Sequence, residues 1–94
     1  NGYLSAQERQ QAQALSHALA ALAQAARQGQ APLQQLEAQA CAALNAQGWQ
    51  TDYPTVRQRH DLQPPPPADL ASAPLVALGA ARLGSTRLID NLEF

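Results

Sequence analysis

The apolar positions fall into three regimes along the chain. From Ala12 to Ala26 they recur as Ala12, Leu15, Leu19, Leu22 and Ala26, a 3-4-3-4 spacing that makes one stripe on a helix, while Gln10, Gln13, His17, Gln24 and Gln28 take the opposite face. Ser5-Ala6-Gln7-Glu8 has the form of a capping box, in which the Ser5 hydroxyl accepts the Glu8 amide and Glu8 reaches back to the Ser5 amide. Arg27 suits the C-terminal end of this helix, and Gly29 is its expected stop, because glycine takes a positive φ without a Cβ penalty. Pro32 is expected at the first position of a second helix. Leu33, Leu36, Ala40, Ala43 and Leu44 continue its stripe and Gly48 ends it. Trp49 then falls two residues past the C-cap, placed to fold back on Leu44. So short a connection predicts an antiparallel helical hairpin.

Beyond Trp49 the pattern changes. Tyr53, Thr55 and Val56 within Thr51–Arg59 predict a strand, and Pro54 inside it predicts an edge strand or an interruption, since proline cannot donate to a ladder. His60 to Ala73 predicts a long loop, with Pro64 to Pro67 extended and solvated. Leu75-Val76-Ala77-Leu78 predicts a buried strand running towards Leu83, Gly84-Ser85 a tight turn with glycine at positive φ, and Thr86–Phe94 the returning strand. Leu88, Leu92 and Phe94 share a face with Asp90. The fold class is therefore α+β: a two-helix hairpin packed on a small antiparallel sheet of about three strands, in the order helix-helix-strand-strand-strand.

Composition narrows the picture. The 94 residues suffice for one domain, and the 46% hydrophobic content is largely alanine, with one Phe, one Trp and no Met. A chain of this size buries only about two-thirds of its unfolded surface, so a thin core and modest stability are expected. The net charge of -1 comes with scattered arginines and no lysine, which argues against nucleic-acid binding and suggests a GC-rich bacterial genome. No stretch is apolar enough to span a membrane. The single Cys41 cannot form an internal disulfide and fits a cytoplasmic setting.

Candidate chemistry is sparse. His17 and His60 have no ligand spacing with Cys41 or with each other, and His60-Asp61 adjacency does not by itself place a carboxylate behind an imidazole. Cys41, beside the stripe of the second helix, is expected to act as a small buried hydrophobe. Gly79, Gly84 and Gly84-Ser85-Thr86 form neither a GxGxxG nor a P-loop pattern. Asp90 on an apolar face calls for a partner, with Arg82, Arg87 or local backbone amides as candidates, or else for contact with a neighbouring domain. No catalytic, cofactor-binding or metal residue is assigned.

Two stretches carry a resemblance. Ala80-Ala81-Arg82-Leu83-Gly84-Ser85-Thr86-Arg87-Leu88-Ile89-Asp90-Asn91-Leu92 resembles the closing signature of the pantothenate synthetase (pantoate-beta-alanine ligase) family. Asn1-Gly2-Tyr3-Leu4-Ser5, followed by Glu8, Arg9 and Ala12, resembles the segment that opens that family's C-terminal domain. Asp52-Tyr53 with Arg57 resembles its first strand, from which Pro54 departs, as the four-proline loop departs further on.

The resemblance implies that residues 1–94 are a C-terminal lid domain, with the N-terminal nucleotide-binding domain, which carries His-x-Gly-His, outside the chain. Asn1 is then expected to be what remains of a junction motif, Ser-Ser-Arg preceding it, and the start at Asn1 instead of Met to be a fragment boundary. For the full-length enzyme the resemblance implies ATP and Mg2+, and condensation of pantoate with β-alanine through pantoyl adenylate, releasing pyrophosphate and AMP. It also implies a homodimer. The isolated domain is expected to be inactive and to self-associate weakly through apolar surface left uncovered. A different class, a free-standing protein-interaction module built on the helical hairpin, fits the alanine stripes but leaves the closing signature unexplained.

Overall fold

The computed structural model describes residues 6–83 and 85–94. Its elements run α1 (Ala6–Gln28), α2 (Leu33–Ala46), β1 (Gln50–Gln58), a short 3-10 turn η1 (Pro67–Asp69), β2 (Leu75–Leu83) and β3 (Thr86–Glu93). This is the expected α+β order. The Ser5–Glu8 capping box, the Asn1–Ser5 segment and the φ of Gly84 lie outside the described residues.

Both helices stop where glycine permits. Gly29 has φ 63° and Gly48 φ 96°. At the end of α1 the Gln30 amide bonds the Ala25 carbonyl at 3.3 Å and the Gly29 amide the Ala26 carbonyl at 3.2 Å. At the end of α2 the Trp49 amide bonds the Leu44 carbonyl at 3.2 Å and the Gly48 amide the Asn45 carbonyl at 3.1 Å. Each is the paired arrangement of a Schellman cap, which satisfies the last carbonyls and turns the chain back. Pro32 is one position outside expectation: it is the N-cap of α2, with φ -55° and ψ 141°. Its carbonyl accepts the Gln35 and Leu36 amides at 3.0 and 3.1 Å. A residue whose ψ is still extended cannot be the first helical one.

The sheet order is β1-β2-β3, antiparallel throughout, so β1 is an edge strand. It is interrupted as well. Asp52 pairs with Ala80 and Thr55 with Leu78, which sets Tyr53 and Pro54 against Gly79 alone. Two residues opposite one is a β-bulge, and it removes proline from the ladder position where its missing N–H would cost a bond.

The helices cover one face of this sheet, α2 over β1 and α1 over β2 and β3. Between the layers lie Leu15, Leu19, Leu22, Ala26, Leu36, Leu44, Trp49, Val56, Leu75, Ala77 and Ala81, all buried. Each leucine among them contributes roughly 1.5–3 kcal/mol by leaving water. Gly79 sits under α1: a Cβ built there would lie 3.2 Å from Leu19 Cδ2. Glycine thus sets how closely the helix approaches the sheet. Of the second stripe, Leu36 and Leu44 are buried, Leu33 and Ala40 half-buried, and Ala43 exposed.

The long loop differs from expectation in two places. Pro65 is buried, not solvated, and Pro67 opens the 3-10 turn. A fixed φ near -65° suits the first residue of a turn of helix as well as an extended run. Arginines fasten this end of the domain. Arg27 Nη1 donates to the Leu70 carbonyl at 3.1 Å while its guanidinium lies 4.9 Å from the Phe94 ring centroid. Arg59 donates from Nε to the Leu75 carbonyl and from Nη2 to the Phe94 main-chain oxygen, both at 2.9 Å.

Candidate functional site

The residues singled out from sequence do not converge. His17 is exposed on the outer face of α1. Cys41 is half-buried, less enclosed than expected, and its Sγ accepts a weak contact from Asn45 Nδ2 at 3.7 Å. His60 Nε2 does meet Asp61 Oδ2 at 3.3 Å, but with 72% and 41% of the two side chains exposed. Asp61 is also occupied as a turn acceptor for the Gln63 amide at 3.0 Å. Among the described residues no three of His, Cys, Asp and Glu gather as metal donors.

Asp90 is half-buried and its Oδ1 accepts the Asn91 amide at 2.8 Å, so of the partners weighed a local amide is the one observed. Arg87 goes to Asp52 instead, Nη2 to Oδ2 at 3.0 Å. The reason is strand parity. Residues 87 and 90 are three apart on β3, so their side chains leave opposite faces of the sheet.

That parity builds a cleft elsewhere. Residues 84 and 85 join β2 to β3, and Leu83 pairs with Thr86, which sets Arg82 directly opposite Arg87. On the other side Arg82 pairs with Gln50, so Asp52 stands two residues along β1 from that row. The Schellman cap of α2 delivers Trp49 to the same corner, where it is 3% exposed, and Asn45 Oδ1 accepts the Thr51 amide at 3.3 Å. A cleft of about 680 Å3 results, lined by Asn45, Trp49, Thr51, Asp52, Arg82 and Arg87. Its lining is mostly polar, whereas the groove between α1 and α2, lined by Ala18, Leu22, Ala25, Leu36 and Ala40, is apolar.

In the sequence both arginines stand as candidate partners of Asp90 and as members of the closing signature. The signal for their pairing was present: with a two-residue turn at 84–85, residue 82 must face 87. Asp52 gave no such signal, because its position depends on the β1 bulge.

The cleft joins no nucleophile to a base. What the fold and site define is a small α+β domain, a helical hairpin on a three-stranded antiparallel sheet with an arginine-lined corner. The family model described as Pantoate-beta-alanine ligase matches residues 1–93, and the chain belongs to that family. It is 65% identical over 94 residues to a pantothenate synthetase of Leptothrix cholodnii, covering 99% of this chain and 33% of that protein. It is 58% identical to a pantothenate synthetase of Verminephrobacter eiseniae, covering 100% of this chain and 33% of that protein. The chain thus spans about a third of the length of these curated relatives. Among the described residues no helix is long and apolar enough to cross a membrane.

Proposed function

We propose that residues 1–94 form the C-terminal lid domain of a cytoplasmic, ATP-dependent pantoate-beta-alanine ligase. The observation that carries this reading is 65% identity to a pantothenate synthetase over 99% of the chain, set against coverage of 33% of that protein. In the proposed reaction the pantoate carboxylate attacks the α-phosphorus of ATP and expels pyrophosphate. The β-alanine amine then attacks the acyl carbon of the adenylate and expels AMP. An acyl adenylate hydrolyses if water reaches it, and a closing domain that excludes water protects it. Among the described residues no three of His, Cys, Asp and Glu gather as a donor set for Mg2+.

The partner in this reading is the nucleotide-binding domain of the same polypeptide. The sheet face turned away from the helices supports such docking. Leu78 and Ala80 are half-buried there and Ile89 is 72% exposed, a load of apolar surface that the helices of this chain do not cover.

A chimera tests the reading. This chain replaces the matching third of the Leptothrix cholodnii protein, and AMP release is followed with pantoate, β-alanine and ATP. The expected result is turnover by the chimera and none by the 94-residue chain alone. A folded chimera without turnover would sink the reading, and AMP formation by the chain alone would overturn its role as an accessory domain.

A further inference from the structure

We propose that Arg82 and Arg87 form a phosphate-recognition site at the corner cleft, taking a diphosphate group. Three observations lead there. The two guanidinium-bearing residues stand directly opposite on neighbouring antiparallel strands. Like charges so placed destabilise a sheet, and a fold retains such a cost most readily where function needs it. Asp52 compensates only one of them, through Arg87 Nη2 at 3.0 Å, while the Arg82 residue is exposed and its guanidinium makes no hydrogen bond or ion pair with a described residue. The cleft they edge, about 680 Å3, has room for a diphosphate and carries further polar groups on its wall.

The chemistry fits an oxyanion rich in acceptors. Arginine presents a planar fork of donors, and two forks can share a group with several oxygens in a way that a single carboxylate cannot match. Asp52 occupies one donor of Arg87 and leaves the rest of that fork available.

The position fits as well. Arg27, near the end of α1, packs on Phe94 at the end of β3, whereas Ala12, near its start, borders a depression with Leu88 and Asp90. α1 therefore runs antiparallel to β3, and its N-terminal end points to the Arg87 end of the sheet. The cleft lies on the side from which, in the proposed function, the nucleotide-binding domain is joined. The choice of diphosphate, from free pyrophosphate or from the phosphate chain of ATP, rests on that reading.

Trp49 borders the cleft and is the chain's one tryptophan, so its fluorescence reports occupancy. The 94-residue chain is titrated with inorganic pyrophosphate, with ATP and with acetate, and backbone-amide NMR shifts at residues 50–52 and 82–87 are followed in parallel. Saturable changes with pyrophosphate and none with acetate are expected. ATP binding as tightly as pyrophosphate would identify the nucleotide as the source, and ATP binding more weakly would identify the free product; either supports the site.

Arg82→Gln is expected to weaken pyrophosphate binding roughly tenfold or more, since a charge-assisted bond is lost. Asp52→Asn is expected to strengthen it, because a competing carboxylate is removed, an effect that a merely structural role for Asp52 would not produce. Circular dichroism checks that both variants are folded. An absent or non-saturating response in the native chain, or an unchanged affinity in folded Arg82→Gln, would overturn the site. Pyrophosphate binding without turnover by the chimera would leave the site standing and sink the ligase reading. Turnover without pyrophosphate binding would do the reverse.

Discussion

Glu37 on α2 accepts the Val56 main-chain N–H on β1 at 2.8 Å, and the same oxygen accepts the Thr55 hydroxyl at 2.9 Å. The donor matters more than the distance. β1 is an edge strand, and Val56 N–H points away from β2, where an unpaired row of amides would otherwise invite another chain. One carboxylate thus ties the second helix to the open side of the sheet.

Removing that carboxylate should be costly. Glu37→Ala leaves the Val56 amide and Thr55 hydroxyl without their acceptor and is expected to destabilise the domain by about 1.5–3 kcal/mol. Glu37→Gln keeps an acceptor oxygen and should lose less. Urea unfolding followed by circular dichroism gives both values, and equal loss in the two variants would show that the acceptor oxygen is not what holds the strand.

Gly48 offers a pure test of backbone conformation. An added Cβ would meet nothing within 4 Å, yet φ is 96°. Gly48→Ala should therefore cost about 1–2 kcal/mol through the left-handed backbone alone. Thermal melts read the loss, and an unchanged midpoint would mean that the Schellman cap of α2 adjusts without penalty.

Gly79 tests the opposite quantity, space without strain in φ. Its Cβ position is 3.2 Å from Leu19 Cδ2, so Gly79→Val should overpack the helix–sheet contact by about 1–3 kcal/mol. In a double-mutant cycle with Leu19→Ala the two losses should fall short of additive, because the shortened side chain makes room. Strict additivity would place the cost of the valine elsewhere.

The ion pair between Asp52 and Arg87 should hardly affect stability. Its side chains are 71% and 51% exposed. Asp52→Asn is expected to shift unfolding free energy by less than about 1 kcal/mol. A larger loss by urea titration would show that the pair anchors β1 to β3 across β2.

The helices were legible because their signals are local. A 3-4-3-4 stripe, a glycine after it and a tryptophan beyond are read within one segment, and the buried Leu15, Leu19, Leu22 and Ala26 and the Trp49–Leu44 cap follow. The interruption at Pro54 was legible for the same reason, since proline's missing donor is a property of the residue itself. The burial of Pro65 and the 3-10 turn at Pro67 were not, because a proline's φ is compatible with both an extended and a helical path and the tertiary setting decides. The grip of Glu37 on β1 needed α2 to be laid over that strand, and the meeting of Asp52 with Arg87 needed the bulge that shifts β1 against β2. Of the candidate site, only the facing of Arg82 and Arg87 followed from counting residues across a two-residue turn.

The spatial order of the strands, β1-β2-β3, is also their order along the chain. No strand has to be threaded later between two that have already paired. During synthesis β1 can lie against the finished helical hairpin, β2 can add to β1, and β3 can close on β2 as soon as each leaves the ribosome. The contacts of Phe94 with Arg27 and Arg59 then close β3 and lock the sheet at the far end of the domain from the corner cleft.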